Sequence, residues 1–185
     1  STYKDQVIFE KDEVTKDDGK PYTVYTPYSK KWKLKLNDFY LKSYPNKKYF
    51  KHFFIKEKTT SIISVEEMGF VNDANFDFPN RKVEDKIIAN YIETRDIPSV
   101  LGTSRISVHL RFGTVSIRKL ARQSINANGE KYLNELIWRD FYMMILHYFP
   151  KVVTTSFNEK YDNIKWRNNE TEYKAWCEGK TGYPI

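Results

Sequence analysis

The sequence predicts a mainly α-helical protein, and three observations carry this prediction. Residues 132–148 form the longest run with helical periodicity in the chain, and shorter runs with the same period surround it. Only two short β-prone segments occur, both within residues 1–28. Residues 42–81 show no sustained period, which predicts a long irregular connector between the two regions.

The composition excludes several classes of protein, namely disordered, disulfide-rich and membrane-spanning ones. The chain has 185 residues, of which 40% are hydrophobic, so it has enough apolar material for a core and wholesale disorder is excluded. A single cysteine, Cys177, excludes an intrachain disulfide framework and a zinc site built from several cysteines. The sequence has neither an apolar run of about 18 residues nor a secretory signal, so we expect no membrane contact and a cytoplasmic location.

Charge and aromatic content point to two kinds of surface. The chain carries 31 Lys and Arg against 24 Asp and Glu, for a formal net charge of +7. This excess is compatible with a nucleic-acid partner, but charge alone does not separate that role from a basic solvated surface. The 14 Tyr, 12 Phe and 4 Trp indicate a large core or surfaces that stack on planar ligands.

The first elements are predicted to be strands. Residues 6–9 are β-prone, residues 17–20 are typical of a turn, and residues 22–25 form a second β-prone run. Ser29 is then a candidate N-cap for a helix over residues 30–40.

The second half of the chain is predicted to be helical. The spacing of apolar residues predicts a helix over residues 83–91 and another over residues 110–121. The strongest helix covers residues 132–148 and ends before Pro150, because proline cannot continue a helix. A short helix over residues 172–177 precedes a glycine-rich turn.

Three hydroxyl residues, Thr103, Ser104 and Ser107, lie directly before a predicted helix. Such residues can cap the helix, or can hold phosphate oxygens together with free backbone amides. Taken alone, the segment favours capping. Neither the GxGxxG nor the GxxxxGK[ST] fingerprint is present, so the standard nucleotide-binding motifs do not apply.

The helix over residues 132–148 carries two stripes. The apolar stripe, which is predicted to face the core, consists of Leu133, Ile137, Phe141, Met144, Ile145 and Tyr148. The other stripe consists of Glu135, Trp138, Arg139 and Tyr142. An indole can stack on a base, a carboxylate can accept from an imide N–H, and a guanidinium can pair with phosphate. The alternative is an ion pair between Glu135 and Arg139 beside a partly buried Trp138.

The remaining candidates give weaker signals. Trp166 and Trp176, each taken alone, are expected to pack in the core. The three histidines lack ligand spacing, and Cys177 has no evident base beside it, so we expect neither a metal site nor a cysteine nucleophile.

Together, four segments resemble the DNA photolyase/cryptochrome family. Residues 102–113 resemble its hydroxyl-rich flavin-phosphate loop, and residues 134–142 resemble its substrate helix. Residues 176–185 resemble its W-x-x-G-x-T-G-x-P signature. Residues 23–28, with Trp32, are similar to the segment where the family's antenna domain meets the linker. The four segments occur in the family's order.

The resemblance implies a domain organisation. The family has an α/β antenna domain, a long connector and a helical FAD domain. By this resemblance residues 1–28 are the C-terminal edge of the antenna domain, residues 29–81 the connector, and residues 82–185 the N-terminal half of the helical domain. We therefore expect a truncated piece that binds FAD weakly, is inactive alone and self-associates through an exposed apolar face.

FAD is the cofactor that the resemblance implies. Tyr91 matches a tyrosine that lines the flavin site, and Tyr132 stands beside the flavin where relatives often have tryptophan. Arg139 matches an arginine near both flavin and DNA. The residues that match the phosphate-binding loop are Thr103, Ser104, Arg105, Ile106 and Ser107. The antenna chromophore is not predicted.

Damaged DNA is the implied partner, and light-driven repair of cyclobutane pyrimidine dimers, with an electron from reduced FAD, is the implied activity. The residues implied to contact DNA are Arg95, Glu135, Trp138, Arg139 and Tyr142. Glu135 matches the carboxylate that bonds the damaged pyrimidines, Trp138 the aromatic against which the dimer packs, and Trp166 the exposed end of an electron relay. The alternatives are a cryptochrome photoreceptor without repair activity and a non-enzymatic, basic nucleic-acid-binding helical module.

Overall fold

The computed structural model describes Lys4 and residues 6–55, 61–71 and 78–183. The α-helices within these residues are α1 Tyr25–Lys35, α2 Asp38–Leu41, α3 Asp85–Ala89, α4 Tyr91–Thr94, α5 Ser107–Arg111, α6 Ile117–Asn126, α7 Glu130–Tyr148 and α8 Glu170–Cys177. Short 3₁₀ helices lie at Lys11–Glu13, Lys47–His52, Pro150–Val153 and Glu159–Asn163. The mainly α prediction is therefore confirmed. In the described part of the chain, every helix is too short or too polar to cross a lipid bilayer.

The chain divides into two compact units, Ser1–Tyr148 and Phe149–Ile185. Helix α7 is the centre of the first unit and packs against α1, α4 and α6. Its buried residues are Tyr132, Leu133, Leu136, Ile137, Asp140, Phe141 and Met144. Four of the six residues of the predicted apolar stripe are among them, and the other two, Ile145 and Tyr148, are partly buried against the core.

The predicted strand over residues 22–25 is wrong, because Tyr25 begins α1. Pro27 lies in the first turn of this helix, where a backbone N–H has no intrahelical partner and its loss is tolerated. Ser29 is therefore not the predicted N-cap. Its hydroxyl donates instead to the carbonyl oxygen of Thr26 at 3.0 Å.

Residues 6–9 do not form the predicted strand either, and the described residues contain no other strand with which they could pair. The backbone N–H groups of Ile8 and Phe9 donate to Asp140 Oδ2 at 3.2 and 3.4 Å. Buried amides need a partner, and here a side chain of α7 takes the place of a neighbouring strand. The ring of Phe9 also packs edge-on against Trp32 at 5.3 Å.

The described residues of the predicted connector within 42–81 are irregular, as predicted, apart from one 3₁₀ helix. In residues 42–55 and 61–71 every residue is exposed, and the single 3₁₀ helix Lys47–His52 is the only helix in these two ranges. Beyond them the predicted helix over residues 83–91 is divided at Asn90 into α3 and α4.

Gly129 fixes the turn between α6 and α7. A Cβ atom at this position would lie 2.3 Å from Ile88 Cγ2, so only glycine lets α3 approach the turn. Its own N–H donates to the carbonyl oxygen of Ser124 at 2.8 Å, which ends α6. The turn thereby sets where α7 begins.

The second unit contains two of the 3₁₀ helices and α8. Asn169 is the N-cap of α8, and its side-chain oxygen accepts from the N–H of Glu172 at 3.1 Å. No described residue of this unit is buried. Trp166 and Trp176 are 74% and 69% exposed, so the expectation that they pack in a core is wrong. A unit of this size buries too little surface to cover them. Pro184 of the signature lies outside the described residues.

Candidate functional site

The site centres on an ion pair between α7 and the end of α4. Arg95 Nη1 lies 2.6 Å from Glu135 Oε1. The two side chains are 28% and 35% exposed, so the pair lies at the edge of the core, within reach of a ligand. The alternative pair between Glu135 and Arg139 does not form, because the tertiary partner from α4 takes its place.

Two tyrosines connect this ion pair to the hydroxyl-rich loop. The guanidinium of Arg95 lies 5.7 Å from the centre of the Tyr91 ring. Tyr91 packs edge-on against Tyr132 with ring centres 5.2 Å apart. The Tyr132 hydroxyl shares a hydrogen bond of 2.8 Å with Ser104. A continuous chain of contacts therefore joins Ser104 to Glu135.

The two tyrosines in this series of contacts, Tyr91 and Tyr132, both have a raised pKa. Burial raises the pKa of Tyr132, and its hydrogen bond with Ser104 opposes the shift. Burial also raises the pKa of Tyr91, and the nearby Glu135 carboxylate raises it further. A tyrosine is already neutral at pH 7, and the raised pKa values keep both hydroxyls protonated to a higher pH than usual.

The loop of residues 102–107 is held tightly against α4. A Cβ atom on the buried Gly102 would lie 2.3 Å from the carbonyl oxygen of Thr94, so this close approach requires glycine. The Thr94 hydroxyl donates to the carbonyl oxygens of Asn90 at 3.0 Å and Gly102 at 3.4 Å. Arg105 has a φ of +49°, a left-handed conformation that costs roughly 1 kcal/mol or more in a residue other than glycine.

The loop presents unused hydrogen-bond donors. The hydroxyls of Thr103 and Ser107 are on exposed residues and make no hydrogen bond to any described residue. The backbone amides of residues 103–106 also donate to no described group. The N-cap of α5 is Ile106, without a side-chain cap bond, so the hydroxyls do not cap this helix. The Ile106 side chain is in the core, which leaves only its backbone for a ligand. Such a donor set fits phosphate oxygens.

Trp138 lies one turn after Glu135 and belongs to an aromatic stack. Tyr25 of α1 lies parallel to it, with ring centres 3.6 Å apart and planes 5° apart. Tyr142 stacks beside it at 5.4 Å and is 61% exposed. The Tyr25 hydroxyl donates to the carbonyl oxygen of Asn134 at 3.0 Å, which fixes that ring. The stack therefore presents a partly buried indole next to the ion pair.

Arg139 does not reach the ion pair. Its guanidinium donates to the carbonyl oxygen of Gln6, to Gln6 Oε1 at 3.3 Å and to the carbonyl oxygen of Leu110 at 3.4 Å. It thus holds the start of the chain against α5 and α7. Its predicted contacts with flavin and DNA stay predictions, as does the role of Trp166, which lies on the surface of the second unit.

Sequence analysis missed Tyr25, which stacks on Trp138 in the site, and Asp140, which is buried on the core face of α7. Tyr25 was assigned to a strand, although Pro27 two positions later is typical of a first helical turn. Asp140 falls between Ile137 and Met144 within the apolar stripe, a spacing that places it on the buried face. Asp140 Oδ2 accepts from Trp32 Nε1 at 3.1 Å, and Oδ1 has no partner among the described residues.

Comparisons with known proteins agree with the predicted resemblance. The sequence model of the "FAD binding domain of DNA photolyase" matches residues 132–185. A deoxyribodipyrimidine photo-lyase of Alkalihalophilus pseudofirmus is 29% identical over 204 aligned positions, which cover 100% of this chain and 41% of that protein. The one from Escherichia coli is 28% identical, covering 99% of this chain and 42% of that protein.

A third relative has a higher sequence identity over a shorter alignment. A deoxyribodipyrimidine photo-lyase of Neurospora crassa is 39% identical over 113 positions, which cover 55% of this chain and 18% of that protein. The chain spans about two fifths of the length of the curated relatives that it matches throughout. These findings confirm the resemblance that the sequence motifs predict.

Proposed function

We propose that this chain, a relative of the DNA photolyases, forms one wall of a site that binds FAD and a damaged pyrimidine pair flipped out of DNA. The whole protein would then be a deoxyribodipyrimidine photo-lyase. One observation carries the proposal: the contact chain from Ser104 to Glu135 joins residues predicted to hold the cofactor to residues predicted to hold the lesion.

The residues of the loop suit the phosphates of FAD. Thr103 and Ser107 would donate their unused hydroxyls, and the amides of residues 103–106 would add backbone donors. Tyr91 and Tyr132 would line the flavin side of the same wall. The chemistry that bound, reduced FAD would supply is light-driven transfer of one electron to the lesion, which would return the electron once its cyclobutane ring has opened.

Glu135 would bind and orient the lesion. Its Oε1 is held by Arg95, and its Oε2 accepts no hydrogen bond from a described residue, so one carboxylate oxygen can accept from a pyrimidine N–H. Arg95 fixes the carboxylate and places positive charge near the DNA backbone. Trp138 would pack against the flipped bases, and Tyr142 would extend that surface outward.

The test is light-dependent repair by the full-length protein to which we assign the chain, with an oligonucleotide that contains one thymine dimer. We expect flavin in the purified protein and loss of the dimer under blue light only. Flavin without repair would support the cryptochrome alternative. DNA binding without flavin would support the basic helical module.

The 185-residue chain alone should retain little FAD and repair nothing, because one wall of the binding site offers few contacts for a large cofactor. The exposed aromatic residues of its second unit should promote self-association. Flavin absorbance per chain and light scattering test both expectations. Stoichiometric FAD on a monomer would contradict them. Because its proposed substrate is cellular DNA, the protein would act inside the cell.

A further inference from the structure

A second surface, separate from the site above, lies in the connector. We define the basic aromatic strip as residues 42–54. It contains four lysines and one histidine and has neither Asp nor Glu. Every one of its residues is exposed. Its exposed aromatic residues are Tyr44, Tyr49, Phe50, Phe53 and Phe54.

Two of the four strip lysines lie over aromatic rings. Lys42 Nζ lies 5.8 Å from the centre of the Tyr44 ring, and Lys48 Nζ lies 4.9 Å from that of Tyr49. These four residues line a shallow cleft of about 210 Å³. In the described part of the chain no strip lysine forms an ion pair, whereas Lys31 pairs with an aspartate. The strip therefore carries uncompensated positive charge.

The arrangement of charge and rings restricts the class of partner. In the 3₁₀ helix Lys47–His52 residues three apart share a face, so Lys47 lies in line with Phe50 and Tyr49 with His52. Two of the three faces therefore combine a basic with an aromatic side chain, and the third carries Lys48 and Lys51. An anionic membrane favours the opposite arrangement, with apolar and basic residues on separate faces of a helix.

We propose that the basic aromatic strip binds single-stranded nucleic acid. Such a strand alternates phosphates with planar bases, so lysines can neutralise the phosphates while neighbouring rings stack on the bases. Stacking also explains why large rings stay exposed on a segment with no buried residue. This binding requires neither flavin nor a lesion, so it goes beyond the proposed repair function.

The contribution of the lysines is tested by measuring how tightly the 185-residue chain binds an undamaged oligothymidylate of about 16 nucleotides. The oligonucleotide is fluorescently labelled, and binding is followed by fluorescence anisotropy in the dark. The test variant changes Lys47, Lys48 and Lys51 to Ala. Its affinity should fall about tenfold at low salt, and the slope of log K against log salt should shrink by about 2. The matched control changes the exposed Lys16, Lys20 and Lys30 to Ala and should keep the slope.

The rings are tested separately. Tyr49→Ala should weaken binding about fivefold or more and leave the salt slope unchanged, because stacking releases no counterions. Tyr161→Ala, which removes a similarly exposed ring from the second unit, is the control and should bind like the unaltered chain. Far-UV circular dichroism verifies that all variants keep their helices.

Three results would overturn the proposal. They are equal weakening by both lysine triples, an unchanged salt slope in the strip triple, and preferential binding to phosphatidylserine vesicles over the oligonucleotide. A failure of light-dependent repair in the full-length protein would leave these dark measurements unaffected. The two proposals therefore fail independently.

Discussion

The Glu135 carboxylate is the residue on which lesion binding is proposed to depend most. Glu135→Gln in the full-length protein keeps the shape of the side chain but removes its charge and weakens its bond with Arg95. We expect affinity for dimer-containing DNA to fall about tenfold, which is the range for a hydrogen bond to a charged group. Stability should change by less than about 1 kcal/mol, because the ion pair is partly exposed.

Competitive gel shifts with damaged and undamaged duplexes measure this effect. Glu172→Gln is the matched control, since Glu172 also pairs with an arginine, Arg167, at 2.6 Å on the exposed second unit. Equal affinities for damaged DNA in the two variants would argue against the proposed role of Glu135.

Trp138 contributes a stacking surface beside that carboxylate. Trp138→Ala should weaken binding of dimer-containing DNA about tenfold, since stacking on a base is worth about 1–3 kcal/mol. It should also release Tyr25, whose ring is parallel to the indole at 3.6 Å. Trp176→Ala removes an exposed indole from the second unit and serves as the control. The idea fails if both tryptophan variants bind the lesion alike.

Asp140 makes the stability of the first unit depend on pH. Burial raises the pKa of Asp140 to about 6 from 3.8, although its bonds from Trp32, Phe9 and Ile8 oppose the shift. A raised carboxyl pKa gives stability that is fully present below pH 3.8 and lost as pH rises through about 6. Asp140→Asn removes this titration.

Urea unfolding of both proteins at several pH values tests this linkage. The unfolding free energy of the unaltered chain, minus that of Asp140→Asn, should fall by about 2 kcal/mol between pH 4 and 7. A difference that stays constant across this range would show that Asp140 is not the titrating group.

At the scale of elements, the glycine at the start of the loop sets how the loop meets α4. Gly102→Ala would force the loop away, because its Cβ atom would lie 2.3 Å from the Thr94 carbonyl oxygen. We expect the full-length variant to lose most of its FAD on gel filtration. Gly19→Ala is the control for backbone strain alone, because Gly19 has a φ of +77° but no atom lies within 4 Å of the new Cβ. Equal flavin content in both variants would contradict this account of the loop.

The helical elements could be predicted because their periodicity is local. The stripe of α7 through Leu133, Ile137 and Phe141 is visible in the sequence and is buried as predicted. The residues before α1 could not be predicted in this way. Their β-prone pattern carries no information about Asp140, which lies more than 130 positions away in the sequence. Its carboxylate accepts hydrogen bonds from the backbone amides of Ile8 and Phe9.

In the candidate site, too, the individual residues could be predicted from the sequence, whereas their long-range contacts could not. Sequence motifs indicated Ser104, Tyr132 and Glu135 one by one, but not the contacts between them. An i,i+4 rule suggests Arg139 as the partner of Glu135, whereas tertiary packing supplies Arg95 instead. Pairings between distant segments depend on the whole fold, and residue spacing alone does not encode them.

At the scale of the whole molecule, the chain holds its predicted site residues in two units. Those from Tyr91 to Tyr142 lie in the first unit and Trp166 in the second. The first unit gathers the loop, the tyrosines and the ion pair around α7. The central claim is that this assembly is one wall of a combined cofactor and lesion site.

A crystal structure of the full-length protein with FAD and dimer-containing DNA tests that claim most directly. The account predicts FAD phosphates against residues 103–107 and a flipped dimer within hydrogen-bond distance of Glu135, beside Trp138. A dimer bound elsewhere, or FAD phosphates held by other residues, would contradict it.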